Sequence, residues 1–316
     1  MSSPDLPAGH AAEPKWDGYR CRLEAHGDEL VVLRSRRGAD LTGAFPEVRQ
    51  AALDRLPAGT GLDGELVVWE DGRLAFDRLQ ARAATRGARA AAASREQPAH
   101  FVAFDLLHRG DTDLTGWPYG RRREALEQLF AENRLTAPLT LCPSTTDPAV
   151  ARQWLDWTAA GLEGLVIKRL DERYLPGRRT WHKYRIRHTT EAIVAAVSGP
   201  LSAPRTLLLA RYDTAGQLHF VGRTTVLSSD ITRALTGQLA PPGELHPWQG
   251  RSFSAGWGSR DTLDVVLVRP EVVLEIGADV ARDSAGRWRH PVRPYRVRTD
   301  LDVQEVPRQD DQPPDT

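Results

Sequence analysis

Apolar and polar residues alternate from Tyr19 to Glu24 (YRCRLE). LVVLRS at 30–35 follows the turn formers Gly27 and Asp28, so a β-hairpin is predicted, with Lys15 just ahead of its first strand. FPEVRQAALDRL, from Phe45 to Leu56, instead places apolar residues at Phe45, Val48, Ala52, Leu53 and Leu56, the spacing of one helical face. LDGELVVW at 62–69 and FVAFDLL at 101–107 read as further strands. Between them the Ala- and Arg-rich stretch 81–94 is either a short helix or a mobile insert. RRREALEQLF and PAVARQWLDWTAAG predict helices, the second stopped by Gly161, with Trp154 and Trp157 as core residues at helical spacing; GLVIKR follows as a strand.

After His188 the pattern changes to five short apolar runs, AIVAAVSG, TLLLARY, LHFVGRT, LDVVLVR and VVLEIG, with a hairpin turn at 213–216 (DTAG). One helix, SSDITRALTGQL, interrupts them, with Ser229 or Asp230 as its N-cap. Five strands and one helix suit a small Greek-key barrel of the oligonucleotide-binding (OB) type, with a generic sandwich as the alternative.

At 316 residues, two domains are expected. The hydrophobic share of 41% and charged share of 27% are those of a globular chain. No apolar run approaches the roughly 20 residues of a membrane span, and the first residues contain no apolar secretory segment; no membrane partner and a cytoplasmic location are expected. Two cysteines, Cys21 and Cys142, exclude a disulfide framework and a thiolate zinc site, and read as small buried hydrophobes. The 42 basic and 42 acidic residues cancel, but not locally. Eight basic residues face two acids between Lys168 and Arg187, and six face one between Arg282 and Arg298. An acidic segment from Asp300 to Asp315 offsets both. Two basic stripes suit a polyanion and a monomeric clamp around it.

Lysine is rare: Lys15, Lys168 and Lys183 stand against 39 arginines. Where arginine serves as the general cation, a retained lysine marks a need for an amine. An ammonium can lose its proton and become a nucleophile, or sit as a compact charge on a phosphate; a guanidinium cannot lose its proton.

Each lysine lies in a distinctive segment. EPKWDGYR contains Glu13, Lys15, Asp17, Gly18 and Arg20, in a KxDGxR pattern; SRRGADLTGAFPE contains Arg36; LDGEL contains Glu65; FDLL contains Phe104 and Asp105. EGLVIKR contains Glu163 and Lys168, WHKYR contains Trp181, Lys183 and Arg185, and RWRHPVRPYRVRTD spans Arg287 to Asp300. In this order, over roughly residues 13–303, the series resembles the motifs of ATP-dependent DNA ligases, members of the covalent nucleotidyltransferase superfamily. The compact architecture looks most like the bacterial ligase C type and the ligase domain of ligase D. One position departs: Asp300 is followed by Leu301, where the family commonly has a basic residue.

The resemblance implies an α+β fold, an ATP-grasp-like nucleotidyltransferase domain of antiparallel sheets (residues 1–187), then an OB-fold β-barrel (188–303) and an acidic disordered tail (304–316). It implies a reaction in which Lys15 takes AMP from ATP and passes it to the 5′-phosphate of a DNA break, which a 3′-hydroxyl then seals. Lys15, Asp17, Arg20 and Lys183 would be catalytic. Glu13, Lys15, Arg20, Arg36, Glu65, Phe104, Glu163, Lys168 and Lys183 would bind the nucleotide, Phe104 by stacking on adenine and Glu13 through its backbone. Glu163, and then Glu65, are hard oxygen donors suited to Mg²⁺ or Mn²⁺. Nicked or broken double-stranded DNA in the nucleoid is the expected partner, with end-joining or repair proteins beside it. An RNA ligase, a capping-type nucleotidyltransferase and a catalytically weak DNA-end-binding homologue are the alternatives.

Overall fold

The computed structural model describes residues 5–27, 30–178, 180–243, 246–254 and 261–311. Asp28 of the expected hairpin turn and residues 312–316 lie outside them. The chain divides into two compact units, Met1–Arg185 and Ile186–Thr316.

The larger sheet of the first unit runs in the order Val31–Ser35, Tyr19–Ala25, Thr60–Glu70, Ala99–Arg109, Thr112–Asp113. These strands are antiparallel, and Leu139–Leu141 joins Ala99–Arg109 in parallel. Because side chains alternate across a strand, Cys21, Leu23, Leu62, Leu66, Phe101 and Ala103 enter one hydrophobic core. Val48 and Ala52 of helix Pro46–Arg55 and Leu126 and Leu129 of helix Tyr119–Glu132 close it. Arg20, Asp63 and Glu65 fall by the same alternation on the opposite face. The register steps from Asp63↔Asp105 to Gly64↔Ala103, which leaves Phe104 as the extra residue of a bulge, a device that re-aims a side chain.

A smaller sheet has the order His10–Pro14, Gly164–Arg169, His182–Arg185. Ala12, Leu165 and Ile167 pack beneath it with Ala151 and Trp154. Glu13, Val166 and Lys183, paired in register, share the reverse face. Gly164, at φ 139°, lets the two strands approach: a Cβ there would lie 2.1 Å from the Tyr184 carbonyl oxygen.

Several local expectations change. Residues 81–94 contain a short helix, Gly87–Glu96, as one expectation had it, and before it the end of a second helix, Phe76–Ala83, which was not expected. The helix at Pro148 is capped by Asp147, tightens after Gln153 into a 3₁₀ segment, Trp154–Ala160, and ends at Gly161 in the left-handed region. Trp157 sits at a kink of non-helical backbone (φ −81°, ψ 23°) within that segment, and it is 42% exposed and not a core residue, whereas Trp154 is buried.

The second unit is a five-stranded sheet, Leu218–Arg223, Thr206–Tyr212, Arg187–Ser198, Val266–Asp279, Arg293–Val297. A parallel bridge between Thr224 and Val292 joins its two ends, and helix Ser229–Leu235 lies between the third and fourth strands in sequence. This is the OB barrel. The runs LDVVLVR and VVLEIG supply one long strand between them, and the fifth strand comes from the basic stripe, where polar composition concealed it. Ser228, one residue earlier than expected, caps the helix by accepting from the Ile231 amide. Leu301 packs with Phe253 and Val306 against the outer face of the barrel. Beyond it Asp302 caps a short turn, Val303–Glu305, and Asp310 accepts hydrogen bonds from Thr214. Residues 304–311 are therefore seated on the barrel, where an acidic disordered tail was expected; the buried Val306 supplies the apolar anchor that composition alone obscured.

Candidate active site

Lys15 follows the last residue of strand His10–Pro14. Its amide donates to the Gly164 carbonyl (2.8 Å) and its carbonyl accepts from the Glu163 amide (3.0 Å), so the segments carrying the two side chains are locked together. The Lys15 ammonium donates to Glu163 Oε2, and both side chains are nearly buried. Gly18 makes the approach to the larger sheet possible: a Cβ there would lie 2.2 Å from the Leu66 carbonyl oxygen and 2.8 Å from Glu65 Cγ.

Glu13, Lys15, Trp16, Arg20, Glu65, Phe104, Val166, Trp181 and Lys183 converge on one small cavity of about 60 Å³. A larger cavity, about 400 Å³, shares Arg20, Trp181 and Lys183 with it and adds Arg36, Tyr174, Arg178 and Arg185. The structure thus brings together most of the expected residues. Arg36 is exposed and lines only the larger cavity. Glu163 touches the site through Lys15, and Asp17 is not among the lining residues of either cavity. Lys168 lines neither; it stands behind the wall, its Nζ 2.7 Å from Glu13 Oε2 and 4.7 and 4.2 Å from the Phe104 and Trp181 ring centres.

The electrostatics favour a reactive amine. Burial lowers the Lys15 pKa from 10.5 to about 8; Arg185 and Lys183 push the same way, against Glu65 and Asp17. Burial also lowers Lys183, helped by Arg20 and Arg185, and raises Glu65 despite its cationic neighbours. Desolvation penalises every charge here, and the clustered cations share the penalty unevenly. Among the described residues, no group of three or more His, Cys, Asp or Glu forms a ready metal cage. Two carboxylates beside an anion-binding cavity suit an ion that takes its remaining ligands from substrate phosphates.

Two residues were missed. Asp63, fully buried, accepts from Arg20 Nε (3.1 Å) and Nη2 (2.6 Å), and from the Tyr174 hydroxyl (2.8 Å). Arg20 in turn lies 4.5 Å from the Trp181 ring centre. Asp63 was findable: it lies two residues before Glu65 in a strand and so shares its face. Tyr174 had no such signal, because a loop brings it to the site.

Comparison with known proteins shows the family. A family model described as the ATP dependent DNA ligase domain matches residues 5–185. DNA ligase C2 of Mycolicibacterium smegmatis is 36% identical, over 94% of this chain and 88% of that one. DNA ligase C of Mycobacterium tuberculosis is 34% identical over the same shares. The crystal structure of the ligase domain of M. tuberculosis LigD superposes with a TM-score of 0.51 at 28% identity, covering 98% of this chain and 95% of that one. The chain belongs to the family of ATP-dependent DNA ligases, and its use of ATP follows from that membership.

Proposed function

We propose that this chain seals 5′-phosphate/3′-hydroxyl breaks in double-stranded DNA through an AMP carried on Lys15. The observation that supports it most is the nearly buried Lys15 amine, lowered in pKa, set between Glu163 and the small cavity that Arg20 and Lys183 also line. The Lys15 nitrogen attacks the α-phosphorus of ATP; a P–N bond forms, the bond to pyrophosphate breaks, and the amine proton passes to solvent. The 5′-phosphate of the break then takes the AMP and returns the electron pair to Lys15. Finally the 3′-hydroxyl displaces AMP and closes the phosphodiester. Each step places charge on non-bridging oxygens, which preorganised cations stabilise. Lys183 and Arg20, shared by both cavities, are assigned to that task, with Arg36 on the DNA phosphate and Asp17 orienting the lysine segment. Phe104 is assigned to the adenine face and the Glu13 backbone to its amino edge. Glu163 and Glu65 would hold Mg²⁺ or Mn²⁺, which would neutralise phosphate charge. Residues 1–187 would carry the adenylyl transfer and 188–303 the OB barrel. End-joining or repair proteins in the nucleoid are the expected partners of a monomeric enzyme.

The test is incubation with Mg²⁺ and α-labelled ATP, wild type against Lys15→Ala, followed by a nicked duplex. Label that depends on Lys15 and leaves as the nick closes supports the reading. No label on wild type refutes it, and label from GTP in place of ATP moves the assignment to a capping-type enzyme.

A further inference from the structure

One helix, Tyr119–Glu132, touches the nucleotide cavity nowhere, yet its first turns reach three strands that build it. Tyr119, Arg122 and Arg123 lie three and four residues apart and so project from one side of the helix. Arg122 makes a paired contact with Asp105 (2.8 and 2.9 Å), the residue after Phe104. The Tyr119 hydroxyl donates to Glu13 Oε1, two residues before Lys15. Arg123 stands 4.0 Å from the same oxygen. Glu13 Oε2 meets the Lys168 ammonium at 2.7 Å, and that ammonium donates to the Phe104 carbonyl at 3.1 Å. The connected groups are almost fully buried: Tyr119 and Lys168 1% exposed, Glu13 2%, Phe104 7%.

A buried carboxylate held by several donors keeps one orientation, and removing a donor costs more than the bond itself is worth. The chain from Tyr119 through Glu13 and Lys168 to Phe104 therefore fixes the cavity wall from behind. We propose that Tyr119 is a positioning residue for nucleotide binding: through Glu13 its hydroxyl holds Lys168 against Phe104 and Trp181, setting affinity for ATP and leaving the rate of transfer to Lys15 untouched. This rests on the reading of Lys15 as the AMP acceptor.

The experiment compares Tyr119→Phe, which keeps the ring and loses the hydroxyl, with wild type in formation of labelled protein across ATP concentration. It repeats the comparison in a Lys168→Met background, or in Glu13→Gln should Lys168→Met fail to fold. The expected result is a KM for ATP raised about fivefold or more with kcat within about twofold, the mark of lost uniform binding. In the second background the same substitution should change KM by less than about twofold, because the route of its action is already cut. An unchanged KM, or effects that multiply fully in the second background, overturns the proposal. A fall in kcat with KM unmoved does so too. Calorimetric titration of wild type with ATP separates the two levels. A wild type that neither binds ATP nor takes label removes the active-site reading and this inference together. A labelled wild type beside an unaffected Tyr119→Phe removes this inference alone.

Discussion

Arg20 and Asp63 form a diagonal ion pair across two strands, with Nη2 2.6 Å from Oδ2. The strand register sets Arg20 opposite Glu65 and Arg22 opposite Asp63, so the pair spans one diagonal step, within reach of a long side chain. The contact leaves Arg20 under the Trp181 ring, at the junction of the two cavities.

Asp63→Asn should release that guanidinium. Sealing of a nicked duplex is expected to fall by more than tenfold. Stability should fall by roughly 1–3 kcal/mol, the range for a buried hydrogen bond to a charged group, with Arg20 partly exposed to solvent. Denaturant unfolding beside a ligation assay measures both. Full sealing by the variant would refute the role given to Arg20.

Lys15→Arg preserves the positive charge facing Glu163 but substitutes a group that stays protonated. The variant should fold like wild type by circular dichroism and take no label from ATP. Any Arg-dependent labelling would mean that nucleophilicity resides elsewhere.

The lowered pKa of Lys15 gives the labelling step a pH signature. At pH 7 a group with a pKa of about 8 is roughly one-tenth amine, some hundreds of times more than at its ordinary value. The amine is the unprotonated form, so the rate at saturating ATP should climb nearly tenfold per pH unit below about pH 7.5 and level off above about 8.5. A rate flat from pH 6 to 9 would show that attack is not limiting or that Lys15 is not the nucleophile.

Gly18→Ala would place a methyl 2.2 Å from the Leu66 carbonyl oxygen, and a backbone atom is not easily moved aside. The strand carrying Glu65 must shift relative to Lys15. A drop in melting temperature of several degrees, with labelling reduced at least tenfold, is expected from a strain of about 1–3 kcal/mol. Calorimetry together with the label assay would expose a tolerant site.

Leu301 occupies the position at which a basic residue is common in the family, and here it packs against the barrel. Leu301→Ala should loosen residues 303–311, costing about 1–2 kcal/mol for a partly buried leucine. Hydrogen exchange read across that segment should accelerate, while residues 206–212 keep their protection. Unchanged exchange at 303–311 would show that Val306 suffices as anchor.

The sequence by itself determined the main strand faces of the first unit and the buried face of helix Pro46–Arg55, because period-two and helical spacing record which side of an element is apolar. It also determined the chemical inventory: three lysines among arginines, two carboxylates and an aromatic, in an order that matches one enzyme family. Asp63 was legible as a neighbour of Glu65 on the same strand face. Tertiary structure alone decided which groups touch. The bonds from Tyr174 to Asp63 and from Tyr119 to Glu13 join residues more than a hundred positions apart, and local periodicity contains no term for such distances. It likewise moved Lys168 from the cavity to its rear wall and Arg36 to its outer rim. It revealed a fifth barrel strand in a basic stripe and seated residues 304–311 on the barrel. In each case burial and long-range pairing outweighed the local composition from which the expectation came.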